Sequence, residues 1–266
     1  MKKKILLIGI IIMGIITGIM LEIDSHNTKE KTKIVNEHND IKKEQKKEQK
    51  QIKQENIKKD IAKLEKIKND KYMILVNKST HKLNKNDIPD NLVVPKIKFN
   101  KWATNTKMEK VAASAVEKMF EAAKKDRIDL LGISAYRAYN VQVEVFEQEI
   151  EVKGSKKRAE EAVAPPGSSE HQTGYTLDLT CVNRVNLDKN FEKTDDFKWL
   201  QENCYKYGFI LRYPKDKEDI TKYQYEPWHY RYVGVDNATY IMKNHLTLEE
   251  YIEKIDKKIE NLKKEL

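Results

Sequence analysis

The sequence is poor in cysteine: it has two, Cys181 and Cys204, and neither has a CxxC neighbour. That excludes a metal site made of cysteines alone. In an exported protein the two could form one disulfide; as two small buried side chains they would need no bond. The stretch from Thr28 to Asp70 has no glycine, no proline and no aromatic residue. Without aromatics for stacking, and with no recognisable nucleic-acid module, its basic character does not read as a nucleic-acid site. It also lacks sustained heptads, which argues against a coiled-coil scaffold. Near the N-terminus no small-x-small cleavage site and no lipid-accepting cysteine follow the apolar run.

What is present is unevenly distributed. Charged residues make up 35% of the 266 residues and hydrophobic ones 39%, which is polar for one compact globule. About half of the formal charge of +9 falls between Thr28 and Asp70. Prolines and aromatics gather beyond about Tyr72, and that part is long enough to bury a core. Three parts follow: residues 1–23 as a signal anchor or signal peptide, 24–70 as a Lys/Glu-rich stalk, and 71–266 as the folded domain. Lys2-Lys3-Lys4 precedes an uncharged run from Ile5 to Leu21. This charge-then-apolar order is that of an export signal, and the missing cleavage site favours an uncleaved anchor over a secreted product. The positive-inside rule then puts the lysines in the cytoplasm and the rest outside. Lysine, glutamate and glutamine make the stalk a solvated helix or a partly disordered spacer. Ile52, Ile57, Ile61, Leu64 and Ile67 give it a thin apolar stripe.

Periodicity sets the expected elements of the domain. Tyr72–Val76 reads as a short buried strand and Thr80–Pro95 as a turn-rich segment. A helix opens at Asn105 or Thr106 and runs to about Lys125. Leu130–Tyr136 is a strand, Tyr139–Lys153 a helix, and Tyr175–Val182 a strand. A helix from Lys193 to Tyr207 ends at Gly208. Phe209–Arg212 and Trp228–Val233 are strands, and a polar helix follows the Thr247 cap. Strands and helices of unlike length without a βαβ repeat predict an α+β fold: a central antiparallel sheet flanked by helices.

Two distant segments carry the chemistry. Ser169-Glu-His171-Gln-Thr-Gly174-Tyr-Thr-Leu-Asp178 offers His171 and Asp178, and Glu226-Pro-Trp-His229 offers His229. Two imidazoles and a carboxylate suit zinc (Zn2+) and leave a position for water. Alternation puts Asp178 and His229 on strand faces away from the apolar stripes. Zinc in such a site lowers the pKa of its water to roughly 7, and Glu226 beside it would accept the proton. Taken singly, His171 is an ordinary loop histidine, Asp178 a structural carboxylate and Glu226 a turn residue. Their combination points to a metal hydrolase.

These motifs resemble the zinc D-alanyl-D-alanine carboxypeptidases of the VanY type, together with the related L,D-carboxypeptidases of the LdcB/DacB type. Ser134-Ala-Tyr-Arg137-Ala-Tyr139-x-x-Gln142 is similar to the family's SGYRSYxxQ segment, with Ala135 and Ala138 replacing a glycine and a serine. Leu75-Val-Asn-Lys78, Gly208-Phe-Ile-Leu-Arg-Tyr-Pro and Trp228-His-Tyr-Arg-Tyr-Val-Gly234 resemble other blocks, so the likeness covers roughly Tyr72 to Ile252. The resemblance implies His171, Asp178 and His229 as zinc ligands and Glu226 as catalytic base. It implies Arg137 as a catalytic and substrate-binding arginine, and Gln142 and Ser169 as cleft residues that bind substrate. The expected activity is removal of the C-terminal D-alanine from peptidoglycan stem peptides by a D,D-carboxypeptidase. An L,D-carboxypeptidase, a D,D-dipeptidase, a stem-peptide endopeptidase and a non-enzymatic wall-binding module are the alternatives. The expected location is the cell membrane, with the catalytic domain outside. The oligomeric state is left open.

Overall fold

The computed structural model describes residues 28–79 and 81–266, with side chains from residue 38 onward. The expected anchor, residues 1–23, lies outside the described residues. Among the described residues no helix is long and apolar enough to cross a membrane.

The chain divides into compact units at Lys58/Lys59. In the first, the described residues 28–58 are wholly helical, as part of α1 (Thr28–Lys68). The last turns of α1 belong to the second unit, residues 59–266, although the sequence places the stalk's end at residue 70. There Ile61 is buried and Glu65 accepts a 2.9 Å bond from Lys263. Such an exposed ion pair contributes little; the buried isoleucine is what docks this end.

The second unit is α+β, with a four-stranded antiparallel sheet in the order β3 (Leu130–Ser134), β4 (Thr176–Cys181), β6 (His229–Tyr232), β5 (Phe209–Leu211). A two-residue ribbon pairs β1 (Leu92–Val93) with β2 (Met108–Glu109). The helices are α2 (Lys110–Lys125), α3 (Tyr139–Lys153), α4 (Lys156–Ala162), α5 (Asp195–Asn203), α6 (Glu218–Thr221), α7 (Val235–Lys243) and α8 (Leu248–Lys264). Alternation in β4 and β6 sends Leu177, Leu179, Tyr230 and Tyr232 into a core shared with Val116 and Met119 of α2. All six residues of β4 are buried, because the face carrying Asp178 is covered as well.

Several expectations are corrected. Tyr72–Val76 is not a ladder strand but a 3₁₀ turn (Lys71–Met73) followed by extended chain. The Arg231 guanidinium, not a neighbouring strand, takes the carbonyls of Tyr72 and Ile74. The helix expected from Asn105 starts at Lys110, because the backbone before it is spent on β1 and on the bond from Glu109 N to Gly174 O. The helix expected from Lys193 starts at Asp195 behind a Thr194 cap, and its last turn tightens to 3₁₀ over Cys204–Tyr207. Gly208 then turns left-handed at φ 84. The C-terminal helix α8 is not polar throughout: Leu248, Tyr251, Ile255 and Ile259 form a buried stripe behind a Thr247–Glu250 capping box. The short helices α4, α6 and α7 and the β1–β2 ribbon have no counterpart in the periodicity. Cys181 and Cys204 are buried free thiols, with no disulfide between them. Burial pushes the Cys204 thiol up to about 12.

Candidate active site

Strand register creates the centre of the site. Asp178 of β4 lies directly opposite His229 of β6, and Ser134 of β3 flanks Asp178 on the other side. Directly opposite residues bring their side chains within reach. The third member comes from a 3₁₀ turn, Glu170–Thr173, closed by Gly174 at φ 72. A β-carbon at Gly174 would meet Glu109 N at 3.2 Å, so glycine serves both the turn and the close packing. The turn aims His171 inward, and its backbone carbonyl accepts from Arg137 N at 3.1 Å.

One ligand atom from each of His171, Asp178 and His229 can be chosen so that all lie within 4.8 Å of one another. His171 Nδ1 is 2.7 Å from the Ala135 carbonyl. That contact requires the proton on Nδ1 and leaves the Nε2 lone pair facing Asp178 Oδ2 at 3.1 Å. His229 presents Nδ1, 3.1 Å from Asp178 Oδ1 and 3.4 Å from Glu226 Oε2. Two inward ring nitrogens and a carboxylate, all buried, are a donor set that suits zinc. Asp178 Oδ1 is also a buried oxygen with no hydrogen-bond partner, as expected of an atom meant for a cation. The residues therefore fit the metal that the sequence predicts.

Glu226 reaches the site by a short turn. Its N–H bonds Tyr213 O, and its carbonyl accepts from His229 N at 3.2 Å across Pro227 and Trp228. Burial is the main force on its carboxyl and raises the pKa to about 7; Asp178 adds to this, and His229, Lys78 and Arg137 oppose it. Burial works against charge on both histidines. At His171 it prevails and the pKa falls. At His229 the neighbouring carboxylates of Asp178, Glu170 and Glu226 outweigh it, and the pKa rises to about 9. Burial likewise opposes ionisation of Asp178, but the two imidazoles hold its carboxyl far below the usual range.

The arginine segment bends over this group. Arg137 Nη1 donates to Gln142 Oε1 at 3.0 Å and Nη2 to Ser134 Oγ at 3.2 Å, while Nε is buried with no partner. Gln142 lines the cleft as expected, and its amide is occupied at both ends: Oε1 accepts from Arg137 and Nε2 donates to Ala164 O at 2.7 Å. It is placed to orient Arg137. Ser169 is buried and lines the cleft as expected. The cleft holds about 230 Å³ and is lined by Val145, Val163, Leu187, Tyr213, Tyr223 and Glu226.

Sequence reasoning passed over Glu170, Arg212 and Arg231, which lie behind His229 and are buried. Each sits inside a motif already singled out. The available signal was an arginine two places after His229, on the same strand face.

Residues 105–235 match the family model described as VanY: D-alanyl-D-alanine carboxypeptidase. The putative carboxypeptidase YodJ of Bacillus subtilis (strain 168) is 50% identical over 198 residues, covering 73% of this chain and 72% of that protein. A solved structure of the LdcB LD-carboxypeptidase superposes with a TM-score of 0.64 at 50% identity, over 68% of this chain and 85% of that one. The D,D-pentapeptidase VanY of a VanB-type resistance cassette, solved in complex with Zn(II), gives 0.57 at 32% identity, over 69% and 99%.

Proposed function

Because the chain belongs to the VanY family of D-alanyl-D-alanine carboxypeptidases, we propose that it is a zinc carboxypeptidase trimming the terminal D-alanine from peptidoglycan stem peptides. The observation that carries this reading is the buried His171–Asp178–His229 group, with Glu226 beside it but outside the ligand set. A pure binding module has no use for that fourth group.

When bound by His171, Asp178 and His229, zinc would polarise the scissile carbonyl and acidify water. Glu226 takes a proton from the attacking water and delivers it to the amine of the departing residue. A carboxyl poised near neutrality suits both transfers. The hydroxide oxygen adds to the carbonyl carbon, the C–N bond breaks, and free D-alanine leaves. The Arg137 guanidinium, fixed by Gln142 and Ser134, pairs with the substrate carboxylate or with charge on the carbonyl oxygen. Valine, leucine and tyrosine walls exclude water around the reacting bond.

For the bond cleaved, the likeness to the LdcB LD-carboxypeptidase exceeds that to the D,D-pentapeptidase VanY, 50% against 32% identity. It supports L,D-cleavage of tetrapeptide stems. D,D-cleavage of pentapeptides, the expectation from sequence, is the second reading and is supported by the family's description. We place the site outside the membrane, on the support of the Lys2–Lys4 and Ile5–Leu21 pattern. Matched tetrapeptide and pentapeptide stems, incubated with purified protein and read by mass spectrometry, test the proposal. Loss of one alanine from the tetrapeptide supports L,D activity, and loss from the pentapeptide alone supports D,D. No product from either overturns the enzymatic reading.

A further inference from the structure

The proposed chemistry leaves unused a buried charge cluster on the far side of His229. Glu170 Oε1 accepts from Arg212 Nε and from Arg231 Nη1, both at 2.8 Å. Arg212 turns its other two nitrogens to Glu249 of α8, at 2.8 and 2.6 Å. Arg231 spends Nη2 on the carbonyls of Tyr72 and Ile74. Every group is accounted for except Glu170 Oε2, which has no hydrogen-bond partner and stands 3.6 Å from His229 Nε2. That nitrogen is buried and has no other partner either.

Two orphaned atoms, one an acceptor and one able to donate, facing each other in a sealed interior belong together. A neutral imidazole carries a single proton, and the partner of one nitrogen decides what the other offers. At His229 the competition is direct. A proton on Nδ1 would bond Asp178 or Glu226 and block the nitrogen that faces the site. A proton on Nε2 bonds Glu170 and leaves the Nδ1 lone pair free.

We infer that Glu170 is a positioning residue that keeps the His229 proton on Nε2 and its Nδ1 lone pair on the metal side. The two arginines hold the carboxylate in place, and Glu249 extends that support to α8. The inference rests on the zinc reading for its consequence, but its geometric claim about the imidazole proton does not.

Glu170→Gln separates the two. The amide oxygen would accept from the arginines, so its NH₂ would face Nε2 and demand the opposite tautomer. Nitrogen-15 NMR of the zinc-free protein, at alkaline pH where the imidazole is neutral, reads the tautomer. Chelator competition reads zinc affinity. The expected result is a proton on Nε2 in wild type, a proton on Nδ1 in Glu170→Gln, and zinc held about 10- to 100-fold more weakly. If the folded variant keeps the wild-type tautomer and zinc affinity, Glu170 is only a structural charge and the inference fails. Should Glu170→Gln not fold, Glu170→Asp answers instead. It keeps the charge against the arginines but withdraws the oxygen from His229, and unchanged affinity and tautomer there likewise overturn the claim. Wild type that binds no zinc defeats the proposed function, while the zinc-free spectra still decide the tautomer.

Discussion

Replacing Glu226 with glutamine changes two quantities in opposite directions. The substitution keeps the shape of the side chain and removes its ability to take a proton. Losing a positioned general base costs about 10²- to 10⁴-fold in kcat, or roughly 3–5 kcal/mol of transition-state stabilisation. Zinc should stay, because Glu226 is not among the grouped ligands. Stability should move the other way. The Glu226 pKa is raised from an ordinary 4.5 to about 7, with burial the first cause. A carboxyl with a folded pKa above its unfolded one costs nothing below the unfolded value and weakens the fold increasingly as pH rises past it. At neutral pH the full cost would be near 3 kcal/mol at 1.36 kcal/mol per unit. The side chain is 18% exposed to the cleft, so a discounted figure of about 1–2 kcal/mol is reasonable. Metal-free Glu226→Gln should therefore melt a few degrees above metal-free wild type at pH 7 and match it at pH 4. Stem-peptide turnover, zinc content and thermal melts in chelator make up the assay. Normal turnover refutes the base, loss of zinc makes Glu226 a ligand, and a lower melting temperature refutes the burial argument.

Arg137→Lys should lower kcat/KM by about 100-fold with zinc content unchanged, because lysine cannot reproduce the fork held by Gln142 and Ser134; steady-state kinetics beside metal analysis check this. Gly208→Ala should destabilise by roughly 2–4 kcal/mol, combining a left-handed backbone at φ 84 with a β-carbon 2.6 Å from the Tyr232 ring. An unchanged denaturant midpoint would contradict it. Glu250 is held below its usual pKa: partial burial opposes this, but Lys217 and the Thr247 cap outweigh it. Its contribution is present above the unfolded pKa and lost as pH falls through the folded one. Melts of Glu250→Gln should therefore fall below wild type at pH 6, and the gap should close as pH falls through the folded value.

The parts of this molecule that were legible from sequence are those that one strand or one turn determines. Alternation placed Asp178 and His229 on the right faces, and the Thr247 cap and Gly208 stop were readable from residue type alone. What escaped depends on partners far away in the chain. Tyr72–Val76 has the composition of a strand, yet its carbonyls go to Arg231, 159 and 157 residues on from Tyr72 and Ile74. Gln142 reads as a cleft residue and is one, but that Arg137 and Ala164 occupy both ends of its amide shows only in the fold. Glu170 sits between Ser169 and His171, where a charged residue reads as solvent-facing. Only the meeting of β5, β6 and the 3₁₀ turn shows it wholly buried between two arginines.

Fold and site are in this sense one specification. Asp178 and His229 face each other because β4 and β6 pair in a single register. That register is held by Leu177 and Leu179 on one strand and Tyr230 and Tyr232 on the other, all in the same core. A slip of one residue would turn every side chain to the opposite face. It would take four large groups out of the core they share, push them into the covered polar face, and in the same step separate the carboxylate from its imidazole. Neither Asp178 nor His229 has to stabilise the sheet for this to work. Asp178 and His229, whose charged forms burial penalises and each other's presence restores, are brought together by apolar neighbours that alternate with them. The polar cost of the site is thus carried by the periodicity that builds the core, and the buried Glu170–arginine cluster fixes only what periodicity cannot: which nitrogen of His229 bears the proton.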